Sequence, residues 1–87
     1  MADNINSNER VAVISIIVEN PDLAAQINEI LHSASDFIIG RLGLPYKKKN
    51  ISIISVVIDA ELDVISKVSG RLGRLPGVTV KTAYSKK

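Results

Sequence analysis

The chain has 87 residues, 46% of them apolar, which suffices for one compact domain with a modest core. Only Phe37, Tyr46 and Tyr84 are aromatic and tryptophan is absent, so the core must be built from Ile, Val, Leu and Ala. The lack of cysteine excludes a disulfide framework, a thiolate metal site and thiol catalysis, while a net charge of +2 is weak ground for a nucleic-acid partner.

Residues 1–9, MADNINSNE, are polar and acidic and hold too little apolar character to pack; they are expected to form a disordered tail ahead of a single domain over residues 10–87. This segment has no basic n-region or apolar h-region, and no apolar run approaches the length that crosses a bilayer. The expected setting is the cytoplasm, without a membrane partner. Val11 to Glu19, VAVISIIVE, follows as a strand rich in β-branched residues and apolar on both alternating faces, the pattern of a strand inside a sheet that is covered on both sides. Asn20 is then a natural N-cap with Pro21 at the first helical position, and Leu23, Ile27, Ile30, Leu31 and Ala34 recur at helical spacing.

Phe37 to Gly43 reads as an edge strand. Leu44-Pro45-Tyr46-Lys47-Lys48-Lys49-Asn50 then forms a charged hairpin connection. Ile51 to Asp59, ISIISVVID, repeats the type of Val11 to Glu19 almost position by position, forty residues further on, and is the second central strand. Asp59 is expected to cap a second helix whose buried stripe is Leu62, Ile65, Val68 and Leu72, and Leu75-Pro76-Gly77 ends it. Acidic Asp22, Glu61 and Asp63 gather at the helix starts and basic Lys67, Arg71 and Arg74 late in the second helix, as the helix dipole favours. Val78 to Ser85 alternates as a last edge strand. The order βαββαβ is that of an α+β, ferredoxin-like sandwich: an antiparallel four-stranded sheet with two helices on one face.

The motif GRLG occurs twice, at Gly40 to Gly43 and Gly70 to Gly73, but on an edge strand in the first case and at a helix end in the second. A phosphate cradle needs its glycines between a strand and a helix start, where free N–H groups face the ligand, so close packing and chain termination are the better account of Gly70, Gly73 and Gly77.

This topology leaves one sheet face open, yet the central strands carry aliphatic residues in both registers: Val11, Val13, Ile17, Ile51, Ile53 and Val57 in one, Ile14, Ile16, Val18, Ile54, Val56 and Ile58 in the other. A second copy of the chain is expected to cover the open face. These strands hold no aromatic residue on which RNA bases could stack. The first strand-to-helix turn, Glu19-Asn20-Pro21-Asp22, is acidic rather than carrying the arginine of acylphosphatase-like enzymes. No Ser/His/Asp triad or catalytic carboxylate pair can be argued from spacing, so no catalytic residue and no enzyme is expected.

His32 is the single imidazole, with Asn28 and Asp36 four residues to either side. A hydrogen-bonded histidine at a helix C-terminus accounts for it better than a metal ligand, since no cysteine or second histidine is available, and neither metal nor cofactor is expected. Were the two central strands parallel, Glu19, Asp22, Asp59, Glu61 and Asp63 would gather at one end, with Lys47 to Lys49, Arg10, Arg71 and Arg74 at the opposite pole. Helix capping explains most of those acids. The lysine run fits, in descending order, a solvated hairpin, a contact for an acidic partner or a minor phosphate-binding surface.

Glu19-Asn20-Pro21-Asp22-Leu23-Ala24-Ala25-Gln26-Ile27 and Leu75-Pro76-Gly77-Val78 resemble ACT domains, small regulatory modules. More closely, INEILH at Ile27 to His32, RLGLPY at Arg41 to Tyr46, and ISIISVVID followed by SGRLGRLPGVTVKT resemble the iron-only hydrogenase system regulators, an ACT-like bacterial family likened also to the C-terminal domain of the nickel-responsive repressor. The resemblance spans Arg10 to Lys87. It implies a homodimer or tetramer joined through its sheets that binds a small effector or a partner. Asp22 stands where amino-acid-binding ACT domains carry glycine, which removes the close backbone approach to a carboxylate at that turn. No DNA-binding ribbon-helix-helix segment precedes Arg10 and no nickel ligand set is present, so direct DNA binding is not expected. The expected ligand-binding residues, at a subunit junction near the first helix, are Glu19, Asn20, Asp22, Asn28, His32, Asp36 and Arg41. The alternative is a protein–protein interaction subunit with no small-molecule ligand, held to its partner by Lys47 to Lys49 or a sheet edge. A nucleic-acid binder ranks last.

Overall fold

The computed structural model describes residues 8–87. The first seven residues of the tail expected over residues 1–9 lie outside the described residues. Strand β1 (Glu9–Val18) leads through a 3₁₀ turn (Pro21–Leu23) into helix α1 (Ala24–His32), and a second 3₁₀ turn (Ser35–Phe37) precedes strand β2 (Ile38–Tyr46). A third (Lys47–Lys49) joins β2 to strand β3 (Ile51–Glu61), followed by helix α2 (Leu62–Gly73) and strand β4 (Val78–Tyr84). The four strands form one antiparallel sheet in the order β2-β3-β1-β4, the ferredoxin-like α+β arrangement.

Strands β1 and β3 are the matched pair of the sequence, and they lie side by side with Val18 opposite Ser52, Ser15 opposite Ser55 and Glu9 opposite Glu61. Because side chains alternate between faces, this register places Ala12, Ile14, Ile16, Val18, Val56, Ile58 and Ala60 together. All are buried, and the rest of the core comes from Ile27, Ile30 and Leu31 of α1, Ile65, Val68 and Leu72 of α2, and Leu23 and Ala34 on either side of α1. The other register faces away. There Leu42 is 68% exposed, Leu44 56%, Ile17 41% and Ile53 38%, so the open face of the single chain carries exposed aliphatic residues, crossed by a polar row of Ser55, Ser15 and Lys81.

Asn20 caps the 3₁₀ turn that leads into α1, not α1 itself, which begins at Ala24: its side-chain oxygen accepts a hydrogen bond from the Asp22 N–H at 3.1 Å, with Pro21 first in that turn. The second cap differs. Asp59 lies within β3 opposite Val11, and Glu61 occupies the N-cap position of α2 without a side-chain cap bond. The ladder continues past Asp59 because β1 begins at Glu9 and supplies partners as far as Glu61. Helix α2 therefore starts late, and Leu62, expected in the buried stripe, is 41% exposed in its first turn. Strand β2 also runs further than Gly43. It continues through Leu44, Pro45 and Tyr46, opposite Ile53, Ser52 and Ile51, since an edge strand tolerates a residue with no N–H.

Gly77 is held at φ +76°, and its carbonyl accepts the Glu19 N–H at 2.7 Å. A Cβ there would sit 3.4 Å from that of Asn20, so the glycine serves both the left-handed turn and the close approach of the β1 exit. Gly77→Ala is expected to cost about 1–2 kcal/mol, read as a lower denaturant midpoint with an unchanged slope. The GRLG glycines are different: a Cβ at Gly70 would approach only the Arg74 side chain, at 4.0 Å, and one at Gly73 would meet nothing, so close packing does not account for them.

Candidate functional site

A trough runs between α1 and the edge strand β2. On β2, Arg41, Gly43 and Pro45 pair with Val56, Ile54 and Ser52, so they share the helix-bearing side of the sheet. On α1, Ala25, Asn28 and His32 follow one another at spacings of three and four residues and line the facing wall. Arg41 crosses the gap and donates from Nη2 to Asn28 Oδ1 at 3.0 Å. This bridge divides the trough into two lobes that share both residues.

The first lobe, 580 Å³, is mixed in character, with Glu29, His32 and Ser35 around Leu31 and Ile38. The second, 410 Å³, is lined by Val18, Pro21, Ala24, Ile27, Leu44, Pro45 and Ile54, with Ser52, Asn28 and Arg41 as its polar groups. Gly43 forms part of its edge, and a Cβ there would meet nothing within 4 Å, so the absent side chain keeps the lobe open rather than relieving a clash.

Of the expected ligand-binding residues, Asn28, His32 and Arg41 are brought together here. Asp36 lies in the exposed 3₁₀ turn before β2 and lines neither lobe. Glu19, Asn20 and Asp22 also stay outside them: Asn20 is occupied as a cap, and the Glu19 N–H is committed to Gly77. Pro21, Leu44, Pro45 and Ile54 were not among the expected residues. The alternation of Arg41, Gly43 and Pro45 at strand period was the available signal, obscured because Pro45 suggested a turn.

The antiparallel register separates the acids. Glu19 and Asp22 sit where β1 ends beside the start of β3, whereas Asp59, Glu61 and Asp63 lie at the other end of the sheet. Lys47 belongs to the first end, where it lines a shallow hollow with Pro21, Tyr46 and Ser52. It is therefore not at the pole of Arg10, which lies opposite Ala60. Arg71 reaches back to α1, donating to Ser33 Oγ at 3.3 Å. Among the described residues no three His, Asp or Glu side chains converge as a metal ligand set, and no helix is long and apolar enough to cross a membrane.

Residues 10–82 match the family model "TM1266-like: Iron-only hydrogenase system regulator, putative". Among solved structures, the chain is similar to the uncharacterized protein TM1266 from Thermotoga maritima, with 37% identity, a TM-score of 0.85, and 90% of this chain and 99% of that one covered. It is also similar to a formyltetrahydrofolate deformylase from Pseudomonas putida KT2440, with 8% identity and a TM-score of 0.62 over 84% of this chain and 28% of the other. A protein of unknown function from Galdieria sulphuraria gives 12% identity and a TM-score of 0.62 over 91% and 46%. At these identities the last two likenesses are of fold alone. No curated protein matches the chain.

Proposed function

Since this chain belongs to the TM1266-like family, matching its model over residues 10–82 and the Thermotoga maritima protein at 37% identity, we propose that it is an ACT-like regulatory module that acts as a homo-oligomer and senses a small effector in the α1–β2 trough. The observation that carries the reading is the Arg41–Asn28 bridge at the junction of two lobes: a cation placed between an apolar and a mixed cavity is suited to binding, not to bond making. The module has no enzymatic role. This part of the reading is supported by the family description, which is that of a regulator.

The open sheet face is where a second copy docks. Ile17, Leu42, Leu44 and Ile53 form an aliphatic surface of the kind that self-association covers, and the two edge strands, β2 and β4, bound it. Effector binding beside β2 then reaches the assembly through the same strand, whose alternate residues line the trough and the open face. Neither DNA nor a membrane enters this reading.

Thermal-shift screening of the full chain against amino acids, organic acids, nucleotides and divalent metals tests the sensing function. One class is expected to stabilise the protein, by about 2.7 kcal/mol at a hundredfold excess over its Kd, and to perturb the amides of Asn28 and Arg41. No response to any class would favour the interaction subunit instead. The exposed 3₁₀ turn of Lys47 to Lys49, closed by Asn50 at φ 55°, is the surface that would then hold an acidic protein partner.

A further inference from the structure

We infer that the lobe on the Pro45 side of the bridge takes a small aliphatic monocarboxylate, anchored by Arg41 and carrying no second charge. The inference rests on the reading of the trough as an effector site and adds the chemical class of the effector.

Charge comes first. Arg41 is the charged side chain lining this lobe, and its hydrogen bond goes to the neutral amide oxygen of Asn28, so no carboxylate among the described residues is bonded to the guanidinium. One contact leaves the rest of the guanidinium fork available, and a planar fork pairs best with a planar carboxylate through two parallel bonds. The body of the ligand follows from the walls. Val18, Ile27 and Ile54 belong to or pack against the core, and Pro21 and Pro45 add apolar surface without an N–H to satisfy. A volume of 410 Å³ suits a ligand of a few carbons to drug size.

The same walls reject a second charge. An ammonium or a further carboxylate entering the lobe would give up part of its water against aliphatic groups, and the lining offers no acidic partner to the ammonium and no second cation to the carboxylate. Glu29 belongs to the other lobe. A free amino acid is thus the wrong shape of charge for this site, whereas its analogue lacking the amino group fits. Gly43 sets the capacity, because a side chain built there has open space before it and would occupy the lobe.

The test uses the full-length protein labelled with nitrogen-15, titrated at constant ionic strength with acetate, butyrate, isovalerate and hexanoate, and with isovaleramide, isopentylamine, leucine, glutarate, adenosine monophosphate and magnesium chloride as controls. The carboxylates are expected to move the Arg41 side-chain resonance and the Gly43 and Ser52 amides, with affinity rising about fourfold per added methylene until the lobe is full. Isovaleramide and leucine should each bind at least tenfold more weakly than isovalerate. R41Q should lose the carboxylate preference while its circular dichroism spectrum is unchanged, and G43V should lose binding with Arg41 intact. If either variant fails to fold, R41K serves instead, since it retains charge without the fork and should weaken isovalerate several-fold.

Equal binding of isovalerate and its amide, or of isovalerate and leucine, overturns the inference. So does movement of the trough resonances by a nucleotide, metal or amine but by no carboxylate, an outcome that leaves the effector site standing. If no compound of any class moves them, the effector site is lost together with this inference.

Discussion

Ile53→Asp is expected to convert the assembled protein into a folded monomer. Ile53 lies on the central strand β3, points away from both helices, and stands opposite Leu44 on one side and Ile17 on the other. In a single chain an aspartate at this 38% exposed position keeps much of its hydration, so the domain itself loses little. Against a second copy the carboxylate would be stripped of water among aliphatic side chains, a cost of several kcal/mol, and about 3 kcal/mol already weakens association roughly a hundredfold. Sedimentation equilibrium at micromolar concentration reads the change, and circular dichroism checks that the fold survives. A wild-type protein that sediments as a monomer under these conditions would remove the assembly part of the proposed function.

Ile14→Ala should have the largest effect on the domain alone. Ile14 is fully buried on the helix-facing side of β1, between Val56 and Thr82 of the neighbouring strands. Truncating it leaves a cavity under both helices that strands held on either side cannot collapse to fill, so a loss of about 2–5 kcal/mol is expected from a total of about 5–15 kcal/mol. For a domain of this size that corresponds to a fall in Tm of roughly 8–40 °C. A loss below about 1 kcal/mol would mean that the register facing the helices is not the one that holds the core.

Strand β1, the Asn20-Pro21 helix start, the Leu75-Pro76-Gly77 stop and the βαββαβ order were legible because each depends on a few neighbouring residues. β-branching, a capping amide, a fixed proline φ and a glycine able to turn left-handed act over one or two turns of chain. The family resemblance was legible for the same reason, being carried by contiguous stretches that the match over residues 10–82 includes.

Longer-range features were not. Val11 to Glu19 and Ile51 to Asp59 are apolar on both faces, so their composition alone does not say which register meets the helices; the core assignment came only with the pairing of Ile14 with Val56 and Ile16 with Ile54. The same antiparallel pairing split the acids between two ends and carried β3 through Asp59, taking away the helix cap expected there.

Three of the expected site residues, Asn28, His32 and Arg41, meet in the trough, while Glu19, Asn20 and Asp22 are spent on a cap and a backbone turn. The sequence by itself determined the elements and their order, since these follow from local backbone preference and side-chain period. Tertiary structure alone decided the register, the open face and the two-lobed trough, because each depends on which distant segment removes which side chain from water.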